Sequence, residues 1–397
     1  MWYTVYVCVI LRFATNLRFK QCYNSKGLKE LIYLDNSATT RPCDEAIKAV
    51  CDNMSQNFGN PSSLHKVGIE AEKVLKSAKK TILSKLGLDG EIYFTSGATE
   101  SNNTAILGTA KTYKHNGRKI VTTAMEHPSV AEPINKLCEQ GYTAVRLAPK
   151  DHENFEQAII DEVDSDTYLV SVMWVNNETG YITDTAKIYN AVKRKNPKTI
   201  VHVDAVQGFC KIPSKTLKAD FVSLSAHKIH GTKGIGALFV AKGMRFEPLL
   251  YGGGQQKNLR SGTEAVDLIA GFEAAVKAYP DCREKYEKLN NLLQEKLSAF
   301  DGITINSCNN SKNILNFSVK GVRSEIMLHF LEESGIYVSS GSACSKGKTS
   351  GVLAAFGVSD ENADSAIRVS FCPSTTESDI EALAQQIGKG IERFRRN

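Results

Sequence analysis

None of the ten cysteines stands at CxxC spacing from another, and the eight histidines form no cluster at metal-ligand spacing. Neither a structural zinc site nor a disulfide framework is therefore written into the chain. The cysteines, at 8, 22, 43, 51, 138, 210, 282, 308, 344 and 372, read mostly as small buried hydrophobes, which suits a reducing cytoplasm. Long apolar runs are missing too. Residues 1–10 are apolar, but the run is too short to span a bilayer and has no basic stretch before it, which argues against a membrane anchor and a secretory signal. Concentrated charge is also absent. Of the formal +6, residues 1–30 hold five basic residues against Glu30 alone, a surplus of four that leaves two for the rest of the chain. A balance so near neutral gives no footprint for direct nucleic-acid binding and leaves acidic small molecules as the anionic partners. No GxGxxG turn follows the first strand, which removes a dinucleotide-binding oxidoreductase. Residues 11–29 are basic and acid-free, a composition shared by organelle transit peptides and plain tails, and residues 1–30 are read as an N-terminal extension outside the fold.

What is present is an orderly α/β text. A chain of 397 residues, 42% hydrophobic and 23% charged, is long enough to bury one large core and a second smaller one. From Leu31, short β-rich runs alternate with helical patterns, the signature of a mostly parallel sheet flanked by helices. Seven strands are expected, at 91–95, 119–123, 143–147, 168–174, 199–204, 221–225 and 236–241, with amphipathic helices such as 69–86, 100–113 and 185–194 between them. Helices at 264–279 and 282–300 follow, then a strand at 314–319, a helix at 324–334, strands at 336–340 and 366–371, and a last helix at 377–394. That order suits a small α+β domain. The expected division is a large domain over 31–263, whose first residues, 31–45, pack on the small domain, and a small domain over 264–397.

Three segments carry candidate chemistry. Phe94-Thr95-Ser96-Gly97-Ala98-Thr99-Glu100-Ser101-Asn102 is a strand ending in a small-residue turn that opens a helix. Free backbone N–H groups and the helix dipole favour phosphate there, with Gly97 and Ala98 admitting an anion and the Thr99 hydroxyl adding a donor; taken alone, a plain helix cap reads equally well. Thr199-Ile200-Val201-His202-Val203-Asp204 ends an apolar strand with an acid, where ligands of open α/β sheets bind. Asp204 there could keep a pyridinium nitrogen protonated, or merely cap a helix. Phe221 to Gly236 ends a strand in Ser225-Ala226-His227-Lys228, and a lysine just past a buried strand is desolvated in a way that favours Schiff-base nucleophilicity. A lone lysine is ordinarily a solvated surface chain.

The order and company of these segments decide between such readings. Together with Tyr33-Leu34-Asp35-Asn36-Ser37-Ala38-Thr39-Thr40, Asn60-Pro61-Ser62-Ser63-Leu64-His65, Glu126-His127, Val175-Asn176-Asn177-Glu178-Thr179-Gly180 and Arg260-Ser261-Gly262-Thr263, the sequence over about 31–395 resembles the cysteine desulfurases of the class V aminotransferase family. The resemblance implies a fold-type I enzyme dependent on pyridoxal 5'-phosphate, with Lys228 as its Schiff-base lysine and Asp204 at the pyridine nitrogen. It implies that His127 stacks on the ring and takes part in acid–base steps, and that Asn177 and Gln207 hold the ring-oxygen side. Phosphate contacts fall to Ala98, Thr99, Ser225, His227 and, through the family's homodimer, Thr263 of the other subunit. From its own surroundings in the sequence, His127 reads equally as a core histidine.

Reaction class comes from Cys344, which lies in Val338-Ser339-Ser340-Gly341-Ser342-Ala343-Cys344-Ser345-Lys346-Gly347-Lys348, a small-residue loop expected to leave the thiol mobile and reachable, with Lys346 and Lys348 favouring the thiolate. In the family this motif presents the nucleophile that takes sulfur from L-cysteine, leaving a persulfide and releasing L-alanine. Arg368 matches the arginine that grips the substrate carboxylate, a planar bidentate task, and Asn36 supports that end of the substrate. The stretch after Cys344 departs from the Ser-Leu-Glu-Pro run of the iron–sulfur-cluster members, so the acceptor protein is an iron–sulfur scaffold or a tRNA-thiolating enzyme. On the same scaffold a selenocysteine lyase or a cysteine sulfinate desulfinase is the nearest enzyme alternative, separated by comparing rates on the three substrates. A sulfur-relay binding protein is the alternative from another class, and an intact set of Lys228, Asp204, His127 and Cys344 argues against it.

Overall fold

The computed structural model describes residues 31–340 and 351–395, so the extension 1–30 and the cysteine loop 341–350 lie outside the described residues. A two-residue strand, β1 (Ile32–Tyr33), comes first. The main sheet follows with seven strands: β2 (Gly90–Thr95), β3 (Lys119–Thr123), β4 (Thr143–Leu147), β5 (Thr167–Met173), β6 (Ile200–Asp204), β7 (Phe221–Ser225) and β8 (Gly236–Ala241). All seven expected strands form, with bounds shifted by one residue at most. Their order is β2-β8-β7-β6-β5-β3-β4, and only β8 runs antiparallel to its neighbours.

The central strands β5, β6 and β7 are buried along their whole length, which is why they read as continuous apolar runs. Their side chains divide between two cores. Val170, Val172, Val203, Val222 and Leu224 pack on one face beneath the helices Lys66–Leu86 and Val266–Ala278, while Leu169, Ile200 and Phe221 pack on the other with the helix Pro128–Cys138. Each such fully buried side chain contributes about 1.5–3 kcal/mol. The helix Lys66–Leu86 starts three residues earlier than its apolar pattern, because His65 Nδ1 accepts the Gly68 N–H at 3.3 Å and caps it. It ends on Gly87 at φ +68°, a left-handed stop that glycine adopts without strain.

The helix expected at 100–113 is interrupted. It runs as Ala98–Asn103, a π turn over Thr104–Gly108, and Thr109–Thr112. Where this turn ends, the Gly108 carbonyl accepts the Glu247 N–H at 3.1 Å.

A second, antiparallel sheet has the order β12-β13-β10-β9, built from β9 (Ile303–Ile305), β10 (Ile314–Val319), β12 (Ser339–Ser340) and β13 (Ala366–Ser370). The strand expected at 336–340 divides in two. Its first half, β11 (Ile336–Tyr337), pairs in parallel with β1, and its second half pairs with β13. The core of this unit joins Phe317 and Val369 to Leu289, Leu293, Ile380, Leu383 and Ile387, from the helices Arg283–Leu297 and Glu377–Phe394. The last helix begins in a capping box, in which Thr376 and Asp379 satisfy each other's backbone N–H groups. Leu34 belongs to this core, and the Leu34 carbonyl accepts the Ser370 N–H at 2.7 Å. A few residues on, the Thr40 N–H reaches the His227 carbonyl at 2.9 Å. Residues 32–40 thus strap the second unit to the edge of the main sheet. Among the described residues no helix is long and apolar enough to cross a membrane.

Candidate functional site

The parallel run of β2, β6 and β7 brings three candidate segments to one edge of the sheet. Gly236, the first residue of β8, lies opposite both Thr95 and Ser225, and Asp204 ends β6 beside them. Glycine is required at 236, since a Cβ would stand 2.6 Å from the Leu224 carbonyl oxygen and 2.7 Å from Gly97 backbone atoms. In front of Gly97 the space is open, with no heavy atom within 4 Å of where a Cβ would be. The first-turn N–H groups of Ala98 and Thr99 face no preceding helical carbonyl, so the turn could cradle an anion beside Ser225. Thr99 is exposed and Ala98 half-buried.

Glu100 fastens this cradle. Its carboxylate accepts the Ser96 N–H at 2.7 Å and both Arg260 Nε at 2.9 Å and an Arg260 terminal nitrogen at 3.3 Å. Burial alone would raise the Glu100 pKa, but Arg260 and Ser96 outweigh it and hold it below the usual range. Arg260 thereby ties the Arg260-Ser261-Gly262-Thr263 loop to the cradle. Thr263 itself is exposed.

Asp204 is buried at the foot of the site, with Oδ1 accepting the Val206 N–H at 3.0 Å and Oδ2 accepting Asn102 Nδ2 at 2.9 Å. His127 caps the helix Pro128–Cys138, its Nδ1 accepting the Ser129 N–H at 3.1 Å. His127 is exposed, yet desolvation by the surrounding protein lowers its pKa, Asp204 opposes the shift and Lys228 adds to it. His202, two residues before Asp204, is a core histidine, held between Ser171 Oγ at 2.9 Å and Ser223 Oγ at 3.0 Å.

Lys228 stands one turn past β7 with Nζ donating to the Ser37 and Ala38 carbonyls at 2.6 and 2.7 Å. Gln207 Nε2 donates to the same Ser37 carbonyl at 2.8 Å, and Gln207 Oε1 accepts Lys211 Nζ at 2.9 Å. Lys211 is buried, and desolvation, helped by the Lys228 charge, pushes its pKa down to about 7. His227 Nδ1 meets Thr39 Oγ1 at 3.1 Å. Burial and the charges of Lys228, Lys233 and Lys211 push its pKa down to about 4, so at neutral pH the ring is neutral and could donate to an anion.

On the side of the second unit, Arg368 lies mid-strand in β13, opposite Ser339 of β12, so the chain leaves β12 for residues 341–350 right beside it. Its guanidinium donates to Asp35 Oδ1 at 2.6 Å and to the Asn177 carbonyl at 3.1 Å, and its buried Nε has no hydrogen-bond partner among the described residues. Asn177 is thus joined to Arg368 through its backbone. Asn36 turns its amide N–H groups to the Ser370 carbonyl at 2.8 Å and the Tyr33 carbonyl at 3.2 Å, a tie between the strap and β13. Cys344 lies outside the described residues.

Sequence reasoning passed over several members of this site. Lys211 and Ser129 carried no motif weight, and Asn102, Asn176 and Arg260 stood inside quoted motifs without a role. Asn176 Oδ1 accepts from the N–H groups of Glu178 and Thr179 at 3.0 and 2.9 Å, which shapes the turn presenting Asn177. Spacing offered one usable signal: Ser129 follows His127 by two residues, the interval at which a histidine caps a helix.

A ligand with a phosphate, a basic ring nitrogen and a carbonyl carbon fits these groups. The cradle at Gly97, Ala98, Thr99, Ser225 and His227 matches the phosphate, Asp204 the ring nitrogen and the Lys228 amine the carbonyl carbon, as pyridoxal phosphate requires. The aminotransferase class-V family profile matches residues 32–383. A NifS/IcsS protein homolog from Lactobacillus delbrueckii subsp. bulgaricus is 40% identical over 380 residues, covering 92% of this chain and 98% of the relative. A protein named cysteine desulfurase from Trichormus azollae is 37% identical over 387 residues, covering 92% of this chain and 94% of the relative. Among solved structures, a NifS-like protein matches with a TM-score of 0.84 at 36% identity, over 91% of this chain and 100% of its own.

Proposed function

The chain belongs to the class V aminotransferase family and is a pyridoxal phosphate-dependent cysteine desulfurase, and from that premise we propose that Lys228 holds the cofactor and Cys344 takes the sulfur. When bound, pyridoxal phosphate supplies an electron sink for bonds broken at the substrate carbons. Every other task falls to the chain. Asp204 keeps a proton on the ring nitrogen, Gln207 and Asn177 hold the ring-oxygen side, and Ala98, Thr99, Ser225 and His227 hold the phosphate. His127 covers the ring and exchanges protons at its cleft-facing edge. Lys228, once its amine is free, moves a proton at the substrate carbon.

Arg368 holds the carboxylate end of L-cysteine, and Asn36 supports that end through its ties to the Ser370 and Tyr33 carbonyls. Arg368 is already fixed by Asp35 and the Asn177 carbonyl, which use two of the five N–H groups of its fork and leave others for a carboxylate. The Cys344 thiolate attacks the substrate sulfur, so an S–S bond forms as the C–S bond breaks. The carbon takes up a proton and leaves as L-alanine, and the enzyme keeps a persulfide. That sulfur passes to an acceptor protein, an iron–sulfur scaffold or a tRNA-thiolating enzyme. The observation that carries this reading is the proximity of Lys228, Asp204 and His127 to one another, with Arg368 paired against the strand that leads into residues 341–350.

The working unit in this proposal is a homodimer in the cytoplasm, with the large domain over 31–263 and the small one over 264–397. Met54, Phe58, Leu64, Leu250 and Tyr251 are exposed apolar side chains suited to a subunit contact, and Thr263, which is exposed, serves the partner's phosphate in this proposal. The seven described free cysteines accord with a reducing compartment. The test is to incubate purified protein with L-cysteine and map persulfide by mass spectrometry, with scaffold and tRNA-thiolation acceptors present or absent. Sulfur on Cys344 is expected. A Cys344→Ser protein that still released alanine at the full rate would remove Cys344 from this role.

A further inference from the structure

Between Asp204 and His127 runs an unbroken line of hydrogen bonds through two residues that the desulfurase reading leaves without a task. Asn102, in the first stretch of the helix Ala98–Asn103, is fully buried. Its Nδ2 carries two hydrogens, one donated to Asp204 Oδ2 at 2.9 Å and the other to Ser129 Oγ at 2.8 Å. Ser129 Oγ, having accepted that bond, turns its own hydrogen to His127 Nδ1 at 2.8 Å. The Ser129 backbone N–H donates to the same ring nitrogen at 3.1 Å.

The direction of this line is forced. Asn102 Oδ1 is buried with no hydrogen-bond partner, which is unfavourable, yet turning the amide over would set that oxygen against the Asp204 carboxylate. The fold leaves the oxygen bare to keep both N–H donors in use. The neighbouring residue reinforces the contact. Pro133 has no N–H to offer the Ser129 carbonyl one helical turn earlier, and Asn103 Nδ2 takes up that carbonyl at 3.5 Å. Two donors aimed at His127 Nδ1 leave that nitrogen unprotonated and put the neutral ring's hydrogen on Nε2, at the opposite edge.

We propose that Asn102 and Ser129 are positioning residues that act as one unit, setting the Asp204 carboxylate and the His127 ring in a fixed relation and keeping the His127 proton on Nε2. The bridge rests on the assignment of Asp204 and His127 to the cofactor. It adds that the two ends are coupled: loosening either residue disturbs both the hold on the ring nitrogen and the proton affinity of the histidine.

The experiment is a double-mutant cycle on protein reconstituted with pyridoxal phosphate, using Asn102→Ala, Ser129→Ala and the pair together. Cofactor dissociation constants come from visible absorbance, and the His127 tautomer and pKa from NMR of the histidine-labelled holoenzyme, with His127→Gln identifying the signal. Asn102→Ala is expected to weaken cofactor binding about tenfold and Ser129→Ala about threefold, with the pair no weaker than Asn102→Ala, since a broken bridge cannot be broken twice. Removing the hydroxyl that donates to the neutral ring raises the His127 pKa, while Ser129→Thr, which keeps a hydroxyl, leaves it in place. Effects that multiply to about thirtyfold in the pair overturn the bridge, as does a His127 protonated on Nδ1 in the unaltered protein. The tautomer measurement needs no variant, so it stands even where Asn102→Ala fails to fold. Unaltered protein that takes up no pyridoxal phosphate sinks the cofactor assignment instead, which keeps the two failures apart.

Discussion

Glu126 offers the sharpest physical test of how the floor of the site is charged. It lies one residue before His127, is 7% exposed, and accepts on one oxygen only, from Thr123 Oγ1 at 2.6 Å and the Met173 N–H at 2.9 Å. Its other oxygen is buried with no hydrogen-bond partner. Burial, partly offset by Thr123 and reinforced by the Asp204 charge, pushes the Glu126 pKa up to about 8, so the carboxyl is neutral at pH 7. A group whose folded pKa lies above its unfolded value of 4.5 stabilises the fold fully below 4.5, and that contribution is lost as the pH rises through about 8. At about 1.4 kcal/mol per pH unit, the loss between pH 5 and pH 9 is about 4 kcal/mol. For a chain of 397 residues that corresponds to about 5 °C in melting temperature. Glu126→Gln keeps an oxygen for both hydrogen bonds and has no proton to lose. Thermal unfolding of the two proteins across pH 5 to 9 reads the difference. The variant should match the parent at pH 5 and exceed it by about 5 °C at pH 9. Parallel curves at every pH would show that Glu126 ionises freely and would refute the reasoning from its buried oxygen.

Lys211 should show the opposite slope. Its folded pKa of about 7 lies below the lysine value of 10.5, so burial destabilises the fold below pH 7 and the penalty fades toward pH 10.5. Lys211→Met is expected to stabilise the protein by about 4 kcal/mol more at pH 6 than at pH 10, measured by thermal unfolding. Arg368→Lys keeps the charge but loses the planar fork, and should lower kcat/KM for L-cysteine about 30-fold, mainly through KM, in a steady-state alanine assay. An unchanged KM would separate Arg368 from the substrate carboxylate. Gly236→Ala sets a methyl group 2.6 Å from the Leu224 carbonyl oxygen, and should cost about 3 kcal/mol of stability and weaken cofactor uptake, seen by thermal shift and visible absorbance.

The seven main strands were legible because most of them are buried on both faces and appear as apolar runs bounded by turns, a pattern that needs no knowledge of neighbours. The segment at 336–340 shows where that stops. Alternation marks it as extended, but nothing in five residues tells that Ile336–Tyr337 pairs with β1 while Ser339–Ser340 pairs with β13. The π turn at Thr104–Gly108 likewise leaves no mark in the apolar periodicity.

The same limit divides the site. Lys228, Asp204 and the Gly97 turn were readable because each ends or follows a strand, and parallel strands deliver their ends to one edge. Protonation was not readable. Glu126 and Asp204 both read in sequence as acids close to a buried strand's end. Only packing gives Asp204 a donor on each oxygen, from Asn102 and Val206, while leaving one Glu126 oxygen with none. A hydrogen-bonded carboxylate can keep its charge in a buried site, and a half-bonded one gives it up to a proton. Asn102, 102 residues before its carboxylate partner in the chain, thus supplies Asp204 with a buried donor of the kind that one Glu126 oxygen lacks among the described residues.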